Sequence, residues 1–139
     1  MLTVKTKLAP SPIHGIGVFT EEFIPSGSVI WQWHEGIDQK ILPELVDALP
    51  EVCQEVFKRY SWVENDVYIM CIDNEKYINH SDNPTCVFIE DGNTAVAARD
   101  IEIGEEITQD YSTFDDNFGK KEFGYDWDVN ANVTQLAEC

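Results

Sequence analysis

Near the start of the chain, Val4, Thr6 and Leu8 are separated by Lys5 and Lys7. A period of two sends successive side chains to opposite faces, so this stretch predicts a half-buried strand, which Pro10-Ser11-Pro12 ends. A second strand is predicted over Val29-Ile30-Trp31-Gln32-Trp33, after the turn Pro25-Ser26-Gly27. From Ile41 to Tyr60 the period becomes helical. Leu42, Leu45, Val46 and Leu49 form one stripe and Val52, Cys53, Val56, Phe57 and Tyr60 another, with Pro43 and Pro50 each suited to a first turn. The pattern predicts two short helices or one kinked helix, in an insert of about residues 35–66 whose apolar stripes face the core. Val67 to Ile72 is a nearly continuous apolar run and reads as a buried strand. Thr85 to Glu90 and Thr94 to Ala98, joined by Asp91-Gly92, read as a hairpin. Many short strands without a βαβ alternation argue against a Rossmann-type sheet.

A length of 139 residues suits a single domain, 1–139, with one modest core. No apolar run approaches the roughly 20 residues of a membrane helix, so a soluble protein with no membrane partner is expected. The opening Met-Leu-Thr-Val-Lys-Thr-Lys has no apolar secretion core, which makes an intracellular location the expectation. Charge sharpens the picture: 26 acidic against 9 basic residues give −17, which repels a phosphate backbone and favours a basic partner over nucleic acid. Acidity spread evenly would serve solubility alone. Here, however, no basic residue falls between Asp100 and Asp116, where Asp100, Glu102, Glu105, Glu106, Asp110, Asp115 and Asp116 are all acidic. The cysteines at 53, 71, 86 and 139 form no Cys-x-x-Cys pair, so neither a metal site nor a disulfide framework is expected.

Three short motifs carry candidate chemistry. Gly15-Ile16-Gly17 lets the backbone bend sharply and approach a ligand, although such a pair taken singly is a plain turn. Asn79-His80-Ser81 taken singly is turn chemistry, and a lone Tyr111 would be a buried tyrosine closing a strand. In this order, and with Gly104-Glu105-Glu106-Ile107-Thr108-Gln109-Asp110 leading into Tyr111, they resemble motifs of the SET-domain protein lysine methyltransferases. The counterparts there are Gly-x-Gly, Asn-His-Ser and Glu-Leu-Thr-x-Asp-Tyr, and the resemblance covers most of residues 11 to 112.

The resemblance implies a mostly β fold with a short helical insert, the β-clip of small curved sheets whose C-terminal segment forms a pseudoknot. It implies S-adenosylmethionine as cofactor, packed on the main chain of Gly15, Ile16 and Gly17 and held by Asn79 and His80. Tyr111 matches the catalytic tyrosine, and Trp33, Phe88, Gln109 and Tyr111 become candidates for the channel that receives the lysine. His14 stands either as a ligand contact or as an ordinary surface residue. Arg99, Asp100 and Glu106 belong to the resembled motif as ion-pairing and turn residues. The sequence also departs from the pattern. Gln32 and Trp33 stand where the family has Glu-Tyr, Asp82 and Thr85 replace Cys and Asn, and the Cys-rich zinc segment is missing. Gln109 occupies a position where an aromatic often influences how many methyl groups are added.

Free lysine has a pKa of about 10.4, so methyl transfer requires the neutral amine to be favoured by a dry channel. The substrate implied is a basic protein or peptide, histone tails among them. An alternative is a non-catalytic SET-like module that binds a basic peptide, since fold alone does not fix function. A third is an acidic structural partner that binds no cofactor. The tail 113–139 carries Phe114, Phe118, Phe123, Tyr125 and Trp127, and is expected to fold over the site as a lid; packing on the outside is the competing arrangement.

Overall fold

Short apolar runs punctuated by glycine and proline give short strands, and the computed structural model describes residues 1–119 as three small sheets with two helices. The first sheet has the order β1-β2-β10-β7, from β1 (Thr6–Pro10), β2 (Ile16–Thr20), β7 (Asn79–His80) and β10 (Glu106–Gln109). The second, β3-β9-β8, joins β3 (Val29–Gln32) to the hairpin of β8 (Cys86–Phe88) and β9 (Thr94–Ala97). The third, β4-β6-β5, is built from β4 (Gln39–Ile41), β5 (Trp62–Glu64) and β6 (Val67–Met70). This is the mostly β arrangement of small sheets that the resemblance implies.

The Asp91-Gly92 hairpin forms as expected, and the Asp91 carboxylate accepts the N–H groups of Asn93 and Thr94, which holds its pKa below the usual range. Proline position resolves the insert into α1 (Pro43–Asp47) and α2 (Glu51–Tyr60), with Pro43 in the first turn of α1 and Pro50 capping α2. The insert also carries β4 and β5, which flank the helices and pair with β6; strands of three residues carry too little periodicity to be read. One expectation needs correction, because the apolar stripes do not form core. Val46 alone is buried on α1, no α2 residue is buried, and Val52 is 70% exposed. A domain this small has too little interior to cover both helices.

Trp31 anchors the core between the sheets, edge-on to Trp62 at 6.3 Å and to Phe88 at 5.5 Å. What positions the site is β10. It lies antiparallel to β2 and parallel to β7, with Thr108 opposite Asn79 and Gln109 opposite His80. The chain after β10 is then held against β5, since Asp115 Oδ1 accepts the Val63 N–H and the Asp116 N–H reaches the Val63 carbonyl.

Candidate functional site

The parallel pairing of β7 with β10 brings two distant motifs side by side, and β2 adds the third. At their meeting point Glu106 is half-buried and accepts from Asn79 Nδ2 at 2.9 Å and from the Ser11 hydroxyl. A Cβ added at Gly17 would overlap the Glu106 carboxylate, so a side chain there would displace Glu106 from its bonds to Asn79 and Ser11. Gly15 differs: its φ of 45° lies in the left-handed region, and the space beside it is open.

Asn79 is 5% exposed, and its Nδ2 also donates to the carbonyls of His14 and Ile16, at 3.0 and 3.2 Å. Three oxygens around one side-chain atom settle which end is the amide nitrogen. The donor end therefore ties the Gly-x-Gly turn to β7, and Oδ1 is the atom left to meet a ligand. His14 contributes its main chain to this tie. Burial, with the Arg59 charge as a smaller cause, pushes its imidazole below the ordinary histidine pKa.

His80 Nδ1 accepts the Tyr111 N–H at 3.1 Å, so Nε2 carries the ring proton and donates to Asp82 at 3.0 Å. The Phe118 ring lies 4.8 Å from the His80 ring. Tyr111 leaves β10 in a 3-10 turn (Tyr111–Thr113) and donates its hydroxyl to the Ile78 carbonyl. Burial, reinforced by the charges of Glu75, Asp115 and Glu106, raises its pKa well above the ordinary value, so the phenol keeps its proton.

Beside Tyr111 is a cavity of about 30 Å³, whose lining includes Trp62, Glu75, Ile78, Gln109 and Phe114. Phe114 and Asp115 also line a larger open cleft of about 740 Å³, together with Cys86, Phe88 and the carboxylates of Glu64, Glu90, Asp110 and Asp116. The cleft runs along β8, which is an edge of its sheet. Asp110, Asp115 and Asp116 of the acidic run thus face this cleft. All three also accept hydrogen bonds, Asp110 from Ser112, Asp115 from Val63 and Asn117, and Asp116 from Asn65. Elsewhere in the run Asp100 caps the Ser26 N–H, and Glu105 pairs with Arg99.

Of the channel candidates, Gln109 and Tyr111 meet in the small cavity; Gln109 is 2% exposed, with its amide 4.0 Å from Cys86 Sγ. Phe88 stands one ring back, 5.0 Å from Phe114. Trp33 lines neither space. It lies across Trp31, donates to Glu35 and carries Lys40 over its ring at 5.1 Å. Trp62 and Glu75 escape the sequence reading because neither sits in a motif, and the Ile78 carbonyl because main-chain roles leave no residue signature. Of the tail rings, Phe114 and Phe118 lie at the site, while Phe123, Tyr125 and Trp127 fall outside the described residues.

The family profile described as the SET domain matches residues 15–112. Among solved structures, the chain is similar to a humanized mutant of the Chaetomium thermophilum Polycomb Repressive Complex 2 bound to the inhibitor GSK126. The TM-score is 0.60 at 19% identity, over 82% of this chain and 16% of that one, a likeness of fold. None of the curated proteins compared with the chain matches it.

Proposed function

Because this chain belongs to the SET-domain family, we propose that it transfers a methyl group from S-adenosylmethionine to a lysine side chain of a basic protein. The observation that carries this reading is the β7–β10 register, which sets Asn79-His80 against Thr108-Gln109 and lets Tyr111 bond back to Ile78. S-adenosylmethionine, when bound, supplies a methyl group made electrophilic by the sulfonium. The residues present fit it: the open turn at Gly15 admits a ligand against the main chain, and Asn79 Oδ1 accepts from an ammonium.

The remaining work belongs to the chain. Tyr111 directs its proton to Ile78 and so offers lone pairs, not a proton, to the amine. Trp62, Phe114 and Tyr111 form the apolar part of the wall of the small cavity, and contact with it disfavours a charge that has no partner. Gln109 places an amide, in place of an aromatic ring, where the amine's substituents would lie. The acidic cleft along β8 attracts a basic segment, histone tails included, and screening limits that attraction to about 8 Å at physiological ionic strength.

Calorimetry with S-adenosylmethionine, followed by labelled-methyl transfer to a basic protein extract, tests the reading. Saturable binding and a lysine-borne label are expected. Binding without transfer to any protein would indicate the non-catalytic peptide-binding module, and absence of binding would remove both.

A further inference from the structure

Glu75 lies in a 3-10 turn (Asn74–Tyr77) and is 5% exposed, although it carries a carboxyl group. Its backbone is satisfied: Asp73 Oδ1 accepts its N–H at 3.3 Å, and its carbonyl accepts the Ile78 N–H at 2.9 Å. The carboxyl is not matched in the same way. Its side-chain partner is the buried thiol of Cys71, a weak donor with no charge to offer. None of the ion pairs among the described residues includes it. Two cations share its cavity, yet Arg59 lies over the Tyr60 ring at 5.5 Å and Lys76 over the Tyr77 ring at 5.6 Å. Asp115, the other carboxylate there, accepts the N–H groups of Val63 and Asn117. A buried carboxylate without a cation weakens a fold, and a ligand that brings the cation removes the penalty.

We infer that Glu75 is the anionic anchor of a pocket for an alkylammonium group, the lysine amine of the proposed reaction, on which this assignment rests. The cavity of about 30 Å³ has room for one water-sized head group. Its walls of Trp62, Tyr111 and Phe114 present ring surfaces that attract a cation. Burial pushes the Glu75 carboxyl up to about 7; Asp73 and Asp38 act in the same direction, while the Cys71 thiol and the N-terminal ammonium oppose them. The Tyr111 phenol faces the same group and stays neutral. At neutral pH the free protein therefore holds Glu75 partly protonated; an arriving ammonium would draw out the carboxylate, and before methyl transfer the ammonium would pass one proton to that carboxylate, leaving the neutral amine beside a protonated Glu75.

The experiment is a titration of the full chain with n-butylammonium and, separately, 1-butanol at pH 7.5, read from the Gln109 side-chain amide by NMR. The wild type should bind the ammonium about tenfold more tightly, a difference of about 1.4 kcal/mol. In Glu75→Gln the two ligands should bind alike, with S-adenosylmethionine affinity kept within about twofold. If that variant fails to fold, the wild type at pH 5.5 serves instead, because protonated Glu75 should lose the same preference. Equal binding of the two probes by the wild type overturns the assignment, as does a preference unchanged in Glu75→Gln or at pH 5.5. Loss of S-adenosylmethionine affinity with the ammonium preference intact would move the cation to the cofactor and also overturn it. If the ammonium preference requires Glu75 but neither protein binds S-adenosylmethionine, the pocket stands and the methyltransferase reading falls.

Discussion

Two carboxylates within one small domain are treated in opposite ways. Glu106, at the junction of β2, β7 and β10, accepts from Asn79 and Ser11 and fills the space that a side chain at Gly17 would take. Glu75, beside Tyr111, is more deeply buried and, among the described residues, has a thiol for its side-chain partner and no cation. The first environment is complete before any ligand arrives, so its role is to hold the Gly-x-Gly turn in a fixed shape. The second is complete only with a cation in place. Pre-organisation and unmet demand are thus separated in space, one for the proposed cofactor and one for the proposed amine.

The contrast can be broken most severely at Asn79. Asn79→Asp would set a carboxylate 2.9 Å from Glu106 Oε1 and against two carbonyls. At an effective dielectric near 20 this repulsion is about 6 kcal/mol, unless one carboxyl takes up a proton. Urea denaturation at pH 7.5 should show the loss; near-native stability would mean that the two side chains can move apart and that the contact does not hold the turn.

Glu75→Gln should have the opposite sign. The folded-state pKa of about 7 exceeds the ordinary glutamate value of 4.5, so the native state holds the proton more tightly than the unfolded chain. The stability linked to that proton is fully present below about pH 4.5 and is lost as pH rises through about 7. Glutamine cannot ionise, so the variant should gain up to about 3 kcal/mol over wild type at pH 8 and little at pH 4.5. A variant less stable than wild type at pH 8 would show the carboxylate to be paired.

Tyr111→Phe sharpens the division between the two regions without a large electrostatic change. Methyl transfer should fall about 100-fold, or about 2.7 kcal/mol, while S-adenosylmethionine affinity stays within about twofold. Full activity on a verified substrate would remove Tyr111 from the chemistry. The smallest effect is expected outside both regions, on α2. Val52→Ser at a 70% exposed position should change stability by less than about 0.5 kcal/mol, and a larger loss would show that its stripe is covered after all.

The first of the two regions was far more legible in the sequence than the second. Gly17, Asn79 and Glu106 sit in motifs with fixed spacing, and strand periodicity together with Asp91-Gly92 supplied the elements that carry them. Even so, the motif could not say which end of Asn79 points where. Asp73-Asn74-Glu75-Lys76 reads as a solvated polar turn, with nothing to mark Glu75 as an inward residue. Its direction depends on tertiary ties, the bond from the Leu2 N–H to Asp73 and the bond from Asn74 to Thr6 on β1. Trp33 and Trp62 show the same limit. Both are aromatic and both lie on or beside short strands, but only the path of β5 against the segment after β10 brings Trp62 to the cavity.

A strand of two residues has a kinetic consequence. β7 pairs with β10 in parallel, across a stretch of chain that contains the whole β8/β9 hairpin. Neither partner gains from meeting until that intervening loop has closed, and closing it sacrifices chain freedom before any contact repays the loss. The local β1/β2 and β8/β9 hairpins carry no such delay. In pulse-labelled hydrogen exchange during refolding, the Ser81 amide, which bonds to the Gln109 carbonyl, should become protected after the amides of those hairpins. Simultaneous protection would mean that the junction nucleates folding. In the expected order, a newly made chain has its hairpins before it has a place to bind anything.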